Sequence, residues 1–235
     1  MNYLLMICGG EGREPAPGRK STDEWVQDTD GRGIRLFGRA LDPPESAVMV
    51  QVRDGGTLLS DGPFTESKEF LAGFDVIDAD DLDVAVQVAA DHPMAARGAV
   101  EVRPLSPGFE LTDAARRWGS TEQPDSWALF PYVNGIAEAD EVEARLREDG
   151  RAWEQSLKDR GLYVFGSALA PAEAATTVRV DGEQTLLTDG PFTEAKEFIA
   201  GVAVLCGATS EQVVEAAAAH PIAAFHHVEV RRFMG

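Results

Sequence analysis

Cysteine, histidine and positive charge are scarce in this chain. Two cysteines, Cys8 and Cys206, occur in 235 residues, too few for a disulfide framework or a zinc cluster of recognisable spacing. Their apolar, strand-like settings read as buried free thiols in a reducing, cytoplasmic compartment. The four histidines are His92, His220, His226 and His227, and no metal site is expected of them. Lys and Arg number 21 against 40 Asp and Glu, a formal net charge of -19. A surface this acidic repels phosphate backbones and anionic lipids, so a nucleic-acid partner is not expected, and the charge reads as solubility. No apolar run approaches the roughly 20 residues of a membrane span, and no membrane partner is expected. The N-terminal "MNYLLMICGG" lacks a basic lead-in and reads as a first strand, with a secretory signal as the alternative. Phosphate loops and nucleophile elbows are missing too, and no cofactor is predicted.

What the chain has is repetition. "DGPFTESKEF" begins at Asp61 and "DGPFTEAKEF" at Asp189, with one difference in ten. The match extends without a gap from Trp25 against Trp153 to Leu105 against Phe233, and 61–105 against 189–233 gives 23 identities in 45 positions. Self-similarity on this scale is an internal duplication. It predicts one unit over 1–105, a Gly/Pro/Ser-rich linker over 106–126 and a second unit over 127–235.

Each unit has the same order of patterns. "NYLLMIC" and "WALFPYV" are strand-like. Val142, Leu146, Trp153 and Leu157 lie at helical spacing before Gly161, a helix-stop glycine, whereas the first unit has a shorter helix around Trp25 and Val26. A second strand follows, then a hairpin predicted to turn at Asp54-Gly55 and at Asp181-Gly182. "EFLAGFDVI" is apolar in both alternation classes, as in a strand buried on both faces. A second helix starts at Asp81 or Thr209, the latter with Gln212 in a capping-box pattern, carries Leu82, Val86 and Ala89 or Val213, Val214 and Ala217, and stops before Pro93 or Pro221. Final strands "AVEVRPL" and "HVEVRRF" close the units. The order β-α-β-hairpin-β-α-β is the ferredoxin-like split pattern of an α+β protein. Both helices then lie on one face, and the bare apolar face must meet another sheet. The fold class expected is two tandem ferredoxin-like units forming an intrachain dimeric α+β barrel, a pseudo-dimer.

The string DGPF-T-E-x-K-E-F, with "IDADDLDVAVQVAADHP" and "VEVRPL" after it and "MNYLLMI" as first strand, resembles the DGPF branch of the YCII-related proteins. The resemblance covers nearly the whole chain, twice. It implies the dimeric α+β barrel, here fused in tandem. The wider family includes proposed enzymes, such as a chloroaromatic dehydrochlorinase, thought to use a His-Asp pair in a cleft. Many DGPF members are encoded beside extracytoplasmic-function sigma factors. The family aspartate matches Asp91, but the second unit has Ala219 there, and neither unit has a histidine on its first helix. The dyad the resemblance implies is incomplete in one unit and absent from the other.

Several candidate site residues follow. Asp91 with His92 is the catalytic candidate, His92 as proton carrier and Asp91 orienting it; His220 repeats the histidine. The competing reading is capping, a histidine at a helix C-terminus bonding the last carbonyls. Asp61, Thr65, Lys68 and Glu69, with Asp189, Thr193, Lys196 and Glu197, form a polar rim suited to a carboxylate base, a cation for an anionic oxygen and an orienting hydroxyl. Gly62, Pro63 and Phe64 read as a rigid turn. His226 and His227 are adjacent on a strand and point to opposite faces. Glu101, Arg103, Glu229 and Arg231 alternate with valines and read as a solvated strand face, with anion binding as the alternative. These features predict a small-molecule binding or regulatory protein; the alternative is a cofactor-free acid-base enzyme acting on a small aromatic or anionic substrate. A monomeric chain would already be a pseudo-dimer, with further association of chains left open.

Overall fold

The computed structural model describes residues 1–10, 18–62, 69–107, 109, 111–120, 125–134, 140–192 and 197–234. The first repeat runs β1 (Asn2–Gly10), α1 (Thr22–Gly31), β2 (Arg35–Ala40), β3 (Val48–Arg53), β4 (Gly56–Asp61), β5 (Glu69–Asp78), α2 (Leu82–Asp91) and β6 (Ala99–Pro104). Helix α3 (Asp113–Ser120) follows. The second repeat runs β7 (Ser126–Asn134), α4 (Asp140–Asp159), β8 (Tyr163–Ala168), β9 (Thr176–Asp181), β10 (Gln184–Asp189), β11 (Glu197–Ile199), β12 (Gly201–Cys206), α5 (Ser210–Ala219) and β13 (Val228–Arg232). No described helix is long and apolar enough to cross a membrane.

Two compact units result, and neither is made of one repeat. The first takes Met1–Leu41, Glu66–Glu110 and Leu169–Glu194; the second takes Asp42–Thr65, Leu111–Ala168 and Ala195–Gly235. The first unit's sheet has the order β10-β9-β6-β1-β5-β2, and the second's β4-β3-β13-β7-β12-β8 with β11 also on β7. All the pairings are antiparallel. The split pattern therefore holds with one change: each hairpin completes the other repeat's sheet. The transfer occurs between two consecutive amides. Leu41 N–H donates to Ala72 O at 2.8 Å in the first unit, and Asp42 N–H donates to Arg232 O at 2.8 Å in the second.

Local rules account for most of the elements. Thr209 and Gln212 form the expected capping box on α5, Asp81 caps α2, and Ser21 with Glu24 makes a further box on α1. Gly161 ends α4 at φ +71°, with Leu162 N–H returning 3.1 Å to Leu157 O. Asp54 and Gly55 turn the first hairpin with φ 51° and 76°. The second hairpin turns one residue later than predicted, at Gly182-Glu183, because Asp181 pairs with Gln184 and Gly182 supplies the positive φ of 60°. On α2 the buried stripe is Ala85, Val88 and Ala89, with Leu82 exposed; on α5 it is Val213, Ala216 and Ala217. The predicted stripes had the right period but were turned towards the larger side chains.

One face of each sheet packs under its helices. In the first unit Trp25, Ala85 and Val88 cover Tyr3, Leu5, Ile77, Val100 and Val102, joined by Val178 and Val180 from the exchanged hairpin. In the second, Leu157, Val213 and Ala217 cover Leu129, Leu205, Val228 and Val230, with Val50 from the other hairpin. The opposite face of each sheet is buried as well: Leu4, Met6, Phe74 and Val76 in one and Ala128, Phe130, Val204 and Phe165 in the other are at most 1% exposed. The stretch read as a linker carries α3, whose Trp118 is buried, donates from Nε1 to Ser126 Oγ at 2.9 Å and meets the Phe233 ring edge-on at 4.8 Å. A single tryptophan with a polar partner anchors a segment whose composition otherwise favours loop. Cys8 is buried as expected, while Cys206 is partly exposed.

Candidate functional site

The histidines at the helix ends are built into the fold in the same way twice. His92 ends α2 with an extended backbone, φ -65° and ψ 132°, and its Nδ1 accepts the Met94 N–H at 3.1 Å, starting the short 3-10 turn at Pro93. His220 does the same for Ile222 at 3.2 Å. Each ring stands edge-on to a tryptophan, Trp25 at 4.6 Å and Trp153 at 4.7 Å, and each indole donates to the neighbouring helix, at Val88 O and Ala216 O. Burial lowers the His92 imidazole to about 4, with Arg35 and Arg19 adding to the effect, and burial alone lowers His220 to about 4. These are neutral acceptors at physiological pH. The capping expectation is corrected in its chemistry: the ring caps the turn that follows as an acceptor, not the preceding carbonyls as a cation. Asp91 is exposed and, among the described residues, makes no hydrogen bond to His92.

The largest correction concerns the final strands. Glu101 is 0% exposed and Arg103 2%, Glu229 3% and Arg231 1%, where a solvated face was expected. Alternating charges signal solvent only if the face they occupy is wet, and here it is the buried face of each sheet that lies away from the helices. Arg103 Nη2 donates to Glu101 Oε1, whose partner oxygen accepts the Phe192 N–H at 3.0 Å. Burial pushes the Glu101 carboxyl up, against the pull of Arg103 and the Phe192 amide. In the second unit Arg231 Nη1 donates to Glu229 Oε1 at 3.1 Å and Nη2 to Asp42 O, while Tyr132 O–H donates to Glu229 Oε2 at 2.7 Å.

The Phe192 bond gives the repeated decamer a physical role. Gly190 takes φ +100° and its amide donates to Ala175 O; Gly62, at +88°, repeats this with Ala47 O. The turn aims the Phe192 amide at the buried glutamate, and Thr177 Oγ1 donates to Gly190 O at 2.8 Å to hold it. Asp61 and Asp189 are exposed. Thr65, Lys68, Thr193 and Lys196 lie outside the described residues, as does the Glu69 side chain. Of the predicted rim, Glu197 is the residue brought into a cluster: its Oε2 is 3.6 Å from His227 Nδ1, with side chains 14% and 20% exposed. His226 and His227 precede β13 and do not lie within it, a correction to their strand placement.

Register shows how the cluster is assembled. Glu229 faces Phe130, Ile199 faces Tyr132 and Glu197 faces Asn134 across β7. Directly paired residues share a face, so Tyr132, Glu197 and Glu229 line the same side, and the His227 ring reaches Glu197 there. The same register in the first unit, Met6 against Glu101, Cys8 against Ala99 and Gly10 against Glu69, puts Cys8 where Tyr132 stands and Ala99 where His227 stands. Tyr132 was not among the candidates from sequence, and nothing in its local pattern marks it. The doubled E-V-R of the final strands was the available signal for the buried pairs. Among the described residues no group of His, Cys, Asp and Glu is placed to hold a metal ion.

Two antiparallel sheets, each with helices on one face and a buried Glu–Arg pair on the other, repeated by duplication, define an α+β protein made from one unit written twice. The chain belongs to the YCII-related family, and the family's domain profile matches it at residues 1–108 and again at 126–234. It is similar to an uncharacterised protein of Rhizobium meliloti (strain 1021), 43% identical over 68 residues, which are 28% of this chain and 55% of that protein. The match thus spans about half the length of that curated relative.

Proposed function

We propose that this protein is a small-molecule binding or regulatory member of the family, with its ligand on the buried polar sheet face. The observation that carries the reading is the repeated Glu–Arg pair, kept at 0–3% exposure where a fold needs only apolar side chains. Removing such charges from water costs several kcal/mol each, roughly offset only by good geometry, so stability alone is a poor reason to hold them. In this reading the repeats span 1–105 and 127–235, belong to the DGPF branch, form the barrel implied by the resemblance and work in the cytoplasm, in a regulatory role linked to an extracytoplasmic-function sigma factor. Small-angle scattering of the full chain tests the barrel.

A thermal-shift screen of the full chain against small aromatic and carboxylate metabolites tests the binding role. A ligand should raise the melting temperature of the wild type and do so less for Tyr132→Phe, which loses the hydroxyl on Glu229. A screen in which no metabolite acts while a partner protein does so reproducibly would replace this reading with protein binding. The alternative, a cofactor-free acid-base enzyme, is favoured by the approach of Glu197 to His227. Asp91 and His92 lend it no support.

A further inference from the structure

The two copies of the polar face are not equivalent. Tyr132, Glu197, His227, Glu229 and Arg231 of the second unit correspond by register to Cys8, Glu69, Ala99, Glu101 and Arg103 of the first. Duplication kept the carboxylates and the guanidinium and separated the two copies at the phenol and the imidazole. In the second unit Glu197 Oε2 is buried and accepts no hydrogen bond from any described residue. Both oxygens of the neighbouring Glu229 are engaged, by Arg231 and by Tyr132. Native proteins leave few buried acceptors unmet, and each one calls for an explanation.

We propose that the second unit alone holds a site for a small molecule that donates a hydrogen bond, from an ammonium or a hydroxyl, to Glu197, with His227 beside it in the site. This rests on the reading of the polar sheet face as ligand-binding. The Glu197 carboxylate accepts the donor's hydrogen bond: a charged ammonium is held by that bond alone, whereas a neutral hydroxyl also needs the neighbouring imidazole. The first unit has Ala99 in place of the imidazole and the Cys8 thiol turned to Met6 O, and serves as scaffold.

The test uses the full chain, wild type and Glu197→Gln, and three probes that share one ring and differ in head group: benzylamine, benzyl alcohol and benzoate. Without probe, Glu197→Gln should melt higher than the wild type by about 2–4 °C, because an unmet buried charge is gone. Benzylamine or benzyl alcohol should raise the wild-type melting temperature and leave Glu197→Gln unmoved. A Glu197→Gln variant that melts lower would overturn the proposal, since Glu197 would then be satisfied within the protein by His227. If benzoate alone stabilises the wild type, the binding reading survives and the donor class falls; if no probe acts at millimolar concentration, the donor class falls as well. In His227→Ala the alcohol's effect should vanish while the amine's persists, and retention of both would remove His227 from the site.

Discussion

The first and second units share a buried Glu–Arg pair, a histidine-capped turn and an exchanged hairpin, yet differ in the polar groups that surround these. The first unit buries a second ion pair, Arg35 Nε donating 2.6 Å to Asp75 Oδ1 with Asp30 at the other end of the guanidinium. A Cβ on Gly38 would lie 2.0 Å from that same Asp75 oxygen, so the strand approaches the pair as closely as glycine allows. The second unit has Tyr163 and Ala203 at these positions and carries its extra polarity on the other face, as Tyr132, Glu197 and His227. The Glu–Arg pair is common to both copies, so the polar groups found beside it in one copy are where a difference in role between the units should be sought.

The largest effect should come from breaking the shared pair. Arg103→Leu and Arg231→Leu each leave a buried carboxylate without its cation and should cost about 3–5 kcal/mol in urea unfolding. Equal losses would mark the pair as the same strut twice; a clearly smaller loss for Arg231→Leu would show that Tyr132, which also bonds Glu229, has taken over part of its work. Acid comes next. Folding lowers both capping imidazoles from 6.5 to about 4, so the unfolded chain binds protons first. Stability is complete above about pH 6.5 and drains as the pH falls towards 4, by about 3 kcal/mol for His92 and less for the more exposed His220. Asp75 and Glu101, whose carboxyls burial pushes up, act in the opposite sense. Melting curves across this window should flatten in His92→Asn, and less in His220→Asn, which keep an acceptor but do not titrate. The smallest effect separates the helix caps: Thr209→Ala and Asp81→Ala should each cost about 1 kcal/mol, with Gln212→Ala adding to the first because its side chain returns to the cap amide at 3.0 Å.

The sequence was readable where the physics is local. Trp153, Leu157 and Gly161 announce a helix and its end, and Thr209 with Gln212 announces a beginning, because period, capping and turn chemistry act over a few residues. The exchange of hairpins was not readable, since Asp54-Gly55 specifies which residues pair within a hairpin but not which sheet edge receives it. Similar repeats offer two chemically similar edges, and the chain passes from one unit to the other at Leu41 and Asp42. Glu101 and Arg103 were misread because alternation reports that two faces differ, not that one of them is wet. His92 was placed correctly at the helix end, but its role as a neutral acceptor for the following turn depends on burial that only the tertiary structure supplies. Of the polar cluster, Glu197 was named from the sequence, the neighbouring His227 was seen but assigned elsewhere, and Tyr132 was missed.

The exchanged hairpins carry a consequence for inheritance. Because β9 and β10 finish one sheet and β3 and β4 finish the other, neither copy of the duplicated segment is a self-sufficient heirloom: deletion of either removes strands from both sheets. Selection therefore has to retain the pair together, even if a single copy performs the work. That bond leaves one copy free to accumulate new chemistry while the other is kept faithful by the architecture it helps to close.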